Sequence, residues 1–204
     1  MKSISKFALA ASIVLATIFT LSCSSDDKDD GGGGEVSYGG KKYNTVKIGS
    51  QVWFAENLNY AGDGNSIGKC YSNLESNCAI YGRLYTWSEA TAVCPNGYHL
   101  PSREEWTSLM NSVGTGGRDV ATKLKAESGW NTSYGNGTND YGFSALPGGY
   151  GNSNGNFSSV GNGGFWWTTS ENSSGEAYVR DIYDTYGGDF YSKSYLCSVR
   201  CVKD

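Results

Sequence analysis

Histidine is almost missing from this chain: His99 is the one imidazole in 204 residues. Zinc sites built on added histidines are therefore excluded, and the cysteine spacings do not supply two close pairs instead. A basic block is missing as well. Lys and Arg number 16 against 20 Asp and Glu, giving a formal net charge of −4. That balance argues against a nucleic-acid partner and against electrostatic docking on anionic lipid. The one long apolar run, Phe7 to Leu21, is shorter than the roughly 20 residues a membrane span needs. No internal repeat and no cofactor motif are found.

What is present begins with that run. Met1–Lys6 carries two lysines ahead of it, the order of a secretory signal. Leu21-Ser22-Cys23 then resembles a bacterial lipobox, although Thr20 stands where leucine is usual. Residues 1–22 are read as a signal peptide, with Cys23 as the acylated first residue of the mature protein. Two or more acyl chains anchor a protein stably, at roughly 0.8 kcal/mol per buried methylene. Ser24 to Gly34 has no apolar side chain and is read as a flexible tether. Its acidic run resembles the surface-export signal of Bacteroidetes-type lipoproteins. The expectation is a lipid-anchored protein of the outer membrane, facing outward, with residues 35–204 forming a single domain. About 170 residues suffice for one sizeable core.

Within that domain, Tyr43–Ile48 and Val52–Phe54 flank Gly49-Ser50, the spelling of a hairpin with a type II′ turn. Residues 62–77 read as loop. Thr86 with Glu89, and Ser102 with Glu105, are capping boxes that open two helices. The first is expected to end near Cys94-Pro95. The second carries Trp106, Leu109, Met110 and Val113 on one stripe and closes at Gly114. A third helix is expected over 119–126. Strands are expected at 141–146, 165–169, 177–183 and 190–202, separated by Gly- and Asn-rich loops. Strands on either side of a helical middle give an α+β class.

Five cysteines follow Cys23: Cys70, Cys78, Cys94, Cys197 and Cys201. Outside the cytoplasm they are expected to pair, with one left over. Cys70 and Cys78 bracket a short segment that a bond between them would close. Cys94 lies five residues before His99, which raises two alternatives, a nucleophile with its base or a staple.

Six blocks bear on that choice: T-V-K-I-G-S-Q-V-W-F-A-E-N-L (45–58), Y-G-R-L-Y-T-W (81–87), C-P-N-G-Y-H-L-P-S-R-E-E-W (94–106), Y-G-F-S-A-L-P-G-G-Y (141–150), F-W-W-T-T-S-E (165–171) and S-V-R-C-V-K-D (198–204). In this order they resemble the Fibrobacter succinogenes major paralogous domain. That family is similar to the C-type-lectin-like and formylglycine-generating-enzyme folds. The resemblance implies a Cys94–Cys201 disulfide and a C-type-lectin-like fold with short helices, small twisted antiparallel sheets and long loops. It makes Cys94 a staple. His99, between two expected elements and next to Leu100, is read as a packed residue satisfied by backbone, and Cys197 as a small buried free thiol. The copper-dependent cysteine pair of the formylglycine-generating enzymes would need Cys201, which the staple occupies. The Glu-Pro-Asn, Gln-Pro-Asp and Trp-Asn-Asp triplets of calcium-dependent lectins do not occur, so no metal is expected. Asp181, Asp184 and Asp189 are read as a solvated face.

The binding chemistry on offer is aromatic. Aromatic residues make up 14% of the chain against 18% charged, and flat rings beside amides suit sugars as well as proteins. Trp53, Trp87, Trp106 and Trp167 are assigned to the core. Trp166, opposite Trp167 on an extended run, is expected to be an exposed stacking platform, with Tyr150, Asn172 and Tyr186 as further ligand contacts on a recognition face within 135–188. The expected function is a non-catalytic binding or adhesion module, for polysaccharide or for a surface protein. The other readings are a structural envelope lipoprotein and, last, an enzyme; Glu171 and Asp140 are the carboxylates a glycosidase would have to bring together.

Overall fold

The computed structural model describes residues 33–204; the expected signal peptide, Cys23 and most of the expected tether lie outside the described residues. The chain opens with a meander of β1 (Glu35–Tyr38), β2 (Lys41–Ile48) and β3 (Gln51–Phe54). Ile48 pairs with Gln51 across Gly49-Ser50. Gly49 has φ 61° while Ser50 has no positive φ, as a type II′ turn requires.

Then come α1 (Glu75–Tyr81), β4 (Leu84–Tyr85), α2 (Trp87–Ala90), β5 (Tyr98–His99), α3 (Arg103–Val113) and α4 (Gly117–Leu124). Both capping boxes form, at Thr86/Glu89 and at Ser102/Glu105. The first opens only a four-residue helix, because the chain must turn after Ala90 to bury Val93 and bring Cys94 to its partner. α1 begins at the end of the stretch 62–77 expected to be loop and runs four residues past it. Its N-cap is Leu74, whose side chain offers no cap bond, so no start signal marks it.

The second half is β6 (Gly148–Gly151), β7 (Phe157–Val160), β8 (Gly164–Glu171), β9 (Glu176–Ile182), β10 (Tyr186–Ser192), β11 (Cys197–Ser198) and β12 (Val202–Lys203). The expected strand at 141–146 is absent. Asn139, Gly142 and Ser144 all take positive φ there, which interrupts an extended run. The Asn139 amide holds the bend by accepting from the Ser144 N–H and donating to its hydroxyl.

Two sheets result, mostly antiparallel, in the orders β1-β2-β3-β12-β5 and β10-β9-β8-β11-β4, with β6 beside β8 and β7 paired to β6. The fold is α+β. The last strand pieces serve both sheets: β11 lies between β8 and β4, and β12 between β3 and β5. Residues 196–202 are consequently all buried. Side chains alternate along this segment as a strand dictates. Cys197, Val199 and Cys201 enter one core layer with Tyr43, Phe54, Leu58, Tyr85, Phe165 and Trp167. Val202 enters the other, with Trp53, Trp106, Phe143, Trp166 and the apolar faces of α3 and α4.

Trp166 corrects an expectation. It is 0% exposed. Alternation does send Trp166 and Trp167 to opposite faces, but helices cover the face expected to meet solvent. Trp106 of α3 lies 5.9 Å from the Trp166 ring. Trp87, assigned to the core, is only half-buried; its indole N–H donates to the Thr168 carbonyl at 2.9 Å.

Candidate functional site

Cys94 is bonded to Cys201, and Cys70 to Cys78. Cys197 is buried and is the free cysteine among the described residues; burial pushes its thiol well above the usual range, which keeps it protonated and unreactive. One trio with metal-ligand atoms, Cys70, Glu75 and Cys78, gathers within 4.8 Å, but its two sulfurs are bonded to each other. Cys94 is thus a staple.

His99 is not satisfied by backbone, as expected, but by two carboxylates. Nδ1 meets Asp204 Oδ1 at 2.6 Å and Nε2 meets Glu105 Oε1 at 2.8 Å. The other Glu105 oxygen accepts from the Ser102 N–H and hydroxyl. One imidazole therefore ties the start of α3 to β5 and to the C-terminal residue. Burial acts to lower the His99 pKa, but the bonds to Asp204 and Glu105 outweigh it and the net shift is upward.

The four expected ligand contacts do not assemble into one site. Trp166 is buried, and its N–H donates to Asn57 Oδ1 at 2.8 Å. Tyr186 is buried too, its hydroxyl donating to the Trp106 carbonyl at 3.2 Å, and burial raises its pKa strongly. Asn172 is exposed in the β8–β9 turn and donates to Glu176 at 3.1 Å. Tyr150 alone belongs to an aromatic face open to solvent. Glu171 pairs with Lys193 at the end of β8, and Asp140 is exposed in the loop that follows α4.

That aromatic face is built where the second core layer ends. Phe165 on β8 is 1% exposed and is covered by half-buried tyrosines. The Tyr150 ring lies 4.9 Å from Phe165, 5.4 Å from Tyr191 and 6.2 Å from Tyr195, the last with planes only 5° apart. Tyr183 sits edge-on to Phe165 at 5.4 Å. Cross-strand register adds two carboxylates to the same side. Asp181 stands opposite Phe165 and opposite Gly187, Asp189 opposite Val179, and Tyr191 opposite Ala177. A Cβ on Gly187 would stand 2.9 Å from Asp181 Oδ1, so the glycine leaves that carboxylate its room. Burial first, then the charge of Asp189, push Asp181 up to about 6 against the opposing pull of Arg180. Sequence analysis had Tyr150 but missed Tyr183, Tyr191 and Tyr195. Only Tyr191 lies in a strand, β10; Tyr183 and Tyr195 fall in the bends just past β9 and β10, where no alternation marks them.

Elsewhere, a cleft of ≈ 570 Å³ runs between β2 and α1 with Lys41, Asn44, Glu56, Asn57, Ile80 and Ser144 among its walls. Its ionic groups are used internally: Glu56 pairs with Lys41 at 3.0 Å and accepts from the Asn44 N–H at 3.3 Å. Beneath it Asn57 organises the core. Its Oδ1 accepts from Trp166 and from Arg200, and its Nδ2 donates to the Tyr81 carbonyl at 2.9 Å. Arg200 is 0% exposed and meets only neutral acceptors, Asn57 Oδ1 and the carbonyls of Phe143 and Ser144. Burial lowers its pKa to about 9, so it stays charged near neutral pH. Neither residue was singled out from sequence.

Comparison with known proteins gives one match. The family described as the Fibrobacter succinogenes major domain matches residues 46–203. No curated protein and no solved structure matches the chain.

Proposed function

On the premise that the chain belongs to the Fibrobacter succinogenes major domain family, we propose that it is a lipid-anchored, outward-facing envelope protein whose domain is a non-catalytic, C-type-lectin-like binding module for polysaccharide. The observation that carries the reading is the tyrosine face of Tyr150, Tyr183, Tyr191 and Tyr195 over Phe165. Half-exposed rings held rigid by their neighbours present flat apolar area with hydroxyls at the rim. That combination suits the C–H faces and hydroxyls of sugars and costs little conformational entropy on binding. Acylation at Cys23 would set the domain on the membrane surface at the end of its tether.

A glycan array probed with the Cys23→Ala chain tests this. Binding to a polysaccharide class is expected, weakened more than tenfold, or about 1.4 kcal/mol, by Tyr150→Ala. No binding to any glycan refutes it. A second reading, a protein-interaction lipoprotein, is favoured by Leu74 and Ile80, 55% and 57% exposed at either end of α1. It would gain if Ile80→Ser abolished capture of an envelope protein while the array stayed blank.

A further inference from the structure

We propose that the tyrosine face selects sugars bearing a free amine, with Asp181 and Asp189 receiving the ammonium group. This rests on the glycan-binding reading above and names the ligand class. The tyrosine rings supply the stacking floor. What distinguishes this face from a platform for neutral sugar is its charge. Two carboxylates from adjacent strands stand on its side of the sheet, and the charge of Asp189 helps to raise Asp181.

Among the described residues neither carboxylate has an ion-pair partner, and Arg180 acts on Asp181 only through its charge. Arg180, next to Asp181 in sequence, points to the opposite face and donates to the Arg103 carbonyl and to Thr107 Oγ1 on α3. Arg118 is engaged by Asp184 at 2.8 Å. Lys193 is engaged by Glu171 and stands over the Trp87 ring. Lys125, behind Tyr183, donates to the carbonyls of Tyr134 and Tyr183 at 2.7 Å each. Asp181 itself accepts no hydrogen bond from the described residues, and burial of its charge is held against it. Asp189 uses one oxygen on the Phe190 N–H at 2.8 Å and keeps its second.

A half-buried carboxylate beside a like charge is relieved by a cation arriving with the ligand. The π-faces of Tyr183 and Tyr191 attract the same cation. The register puts Asp181 and Tyr191 on one face of the sheet, and Tyr183, two positions beyond Asp181, packs on Phe165 on that same face. A saccharide ring with an ammonium substituent matches floor and wall together. An N-acetylated sugar has no charge to offer, and a neutral glucan leaves both carboxylates unpaired.

The test is calorimetric titration of the full chain, solubilised in mild detergent at pH 7, with a β-1,4-linked glucosamine hexamer, its fully N-acetylated counterpart, cellohexaose and tetralysine. The amine hexamer is expected to bind at least tenfold tighter than either other sugar. Asp181→Asn, isosteric and relieved of its charge penalty, is expected to erase that margin. Asp63→Asn, a remote exposed carboxylate, is expected to leave the margin intact; if it narrows the margin as much, the attraction is bulk charge and the site is refuted. Equal affinity for the three sugars, or preference for the acetylated one, overturns the amine selectivity while leaving glycan binding standing. Tetralysine binding as tightly as the hexamer overturns the sugar in favour of a cationic peptide. No saccharide binding at all refutes this proposal together with the glycan reading.

Discussion

Raising the pH from 6 to 9 is expected to loosen the end of the chain through one residue, His99. Its imidazole is held between Glu105 and Asp204 and its pKa is raised above 6.5. A raised pKa means that the folded state binds the proton more tightly than the unfolded chain. The resulting stability is fully present below pH 6.5 and is lost as pH rises through the folded-state value. Glu105 has the opposite sign. Its own burial is outweighed by bonds from Ser102 and His99, which hold it below 4.5. Its contribution is present above 4.5 and is lost as pH falls through its depressed value. The clamp is therefore strongest between about pH 4.5 and 6.5. The His99 side chain is 39% exposed, so solvent screening limits each pair to about 0.2–1 kcal/mol. Two pairs give about 1 kcal/mol, or roughly 2–4 °C in Tm for a domain of this size. Scanning calorimetry of wild type and His99→Gln from pH 5 to 9 measures it. Wild type is expected to lose those degrees between pH 6 and 9 in excess of the variant, because Asp181, raised to about 6, titrates equally in both proteins. Parallel curves for the two proteins would refute the clamp.

Trp166→Ala and Trp167→Ala are both expected to behave as core truncations, each costing about 3–5 kcal/mol, measured by denaturant unfolding; a silent variant at either position would contradict the two-layer core. Non-reducing peptide mapping is expected to recover Cys94 with Cys201 and Cys70 with Cys78, and Cys197 is expected to alkylate only after unfolding. Opening the Cys94–Cys201 link, which spans 107 residues, is expected to cost up to about 4.7 kcal/mol on the chain-entropy model. Metabolic labelling with a palmitate analogue is expected to tag the wild-type chain and not Cys23→Ala; equal labelling would remove the anchor from the proposal.

The parts of the fold legible in sequence are those written in local chemistry. The capping boxes at Thr86 and Ser102, the Gly49-Ser50 turn and the apolar stripe of α3 each lie within a few residues and are decided there. α1 was illegible because Leu74 offers no cap. The irregular 139–146 stretch was illegible because its aromatic and apolar residues imitate a strand, while an asparagine side chain forces the bend. The candidate site failed for a different reason. Alternation along 165–169 told which tryptophan faces which way, but not that α3 and α4 would cover the second face. Burial on both sides is decided by elements 40 to 60 positions away, as roughly counted along the chain, and tertiary context overrides the local pattern there. Asn57 and Arg200 are the extreme instance: 143 positions apart, they form a polar knot in the core that no window of sequence contains.

The placement of residues 196–202 between the two sheets has a temporal consequence. Neither sheet is complete until β11 and β12 insert, and these strands pair with β3, β4 and β5, which lie far from them along the chain. The Cys94–Cys201 bond and the His99–Asp204 contact wait on the same segment. Pairings of such sequence separation are slow to form, so the two sheets are joined late in folding, when the segment they share docks between them. The order of closure is written into the strand order itself: each sheet is held ready by its own hairpins, and one short stretch of chain locks both.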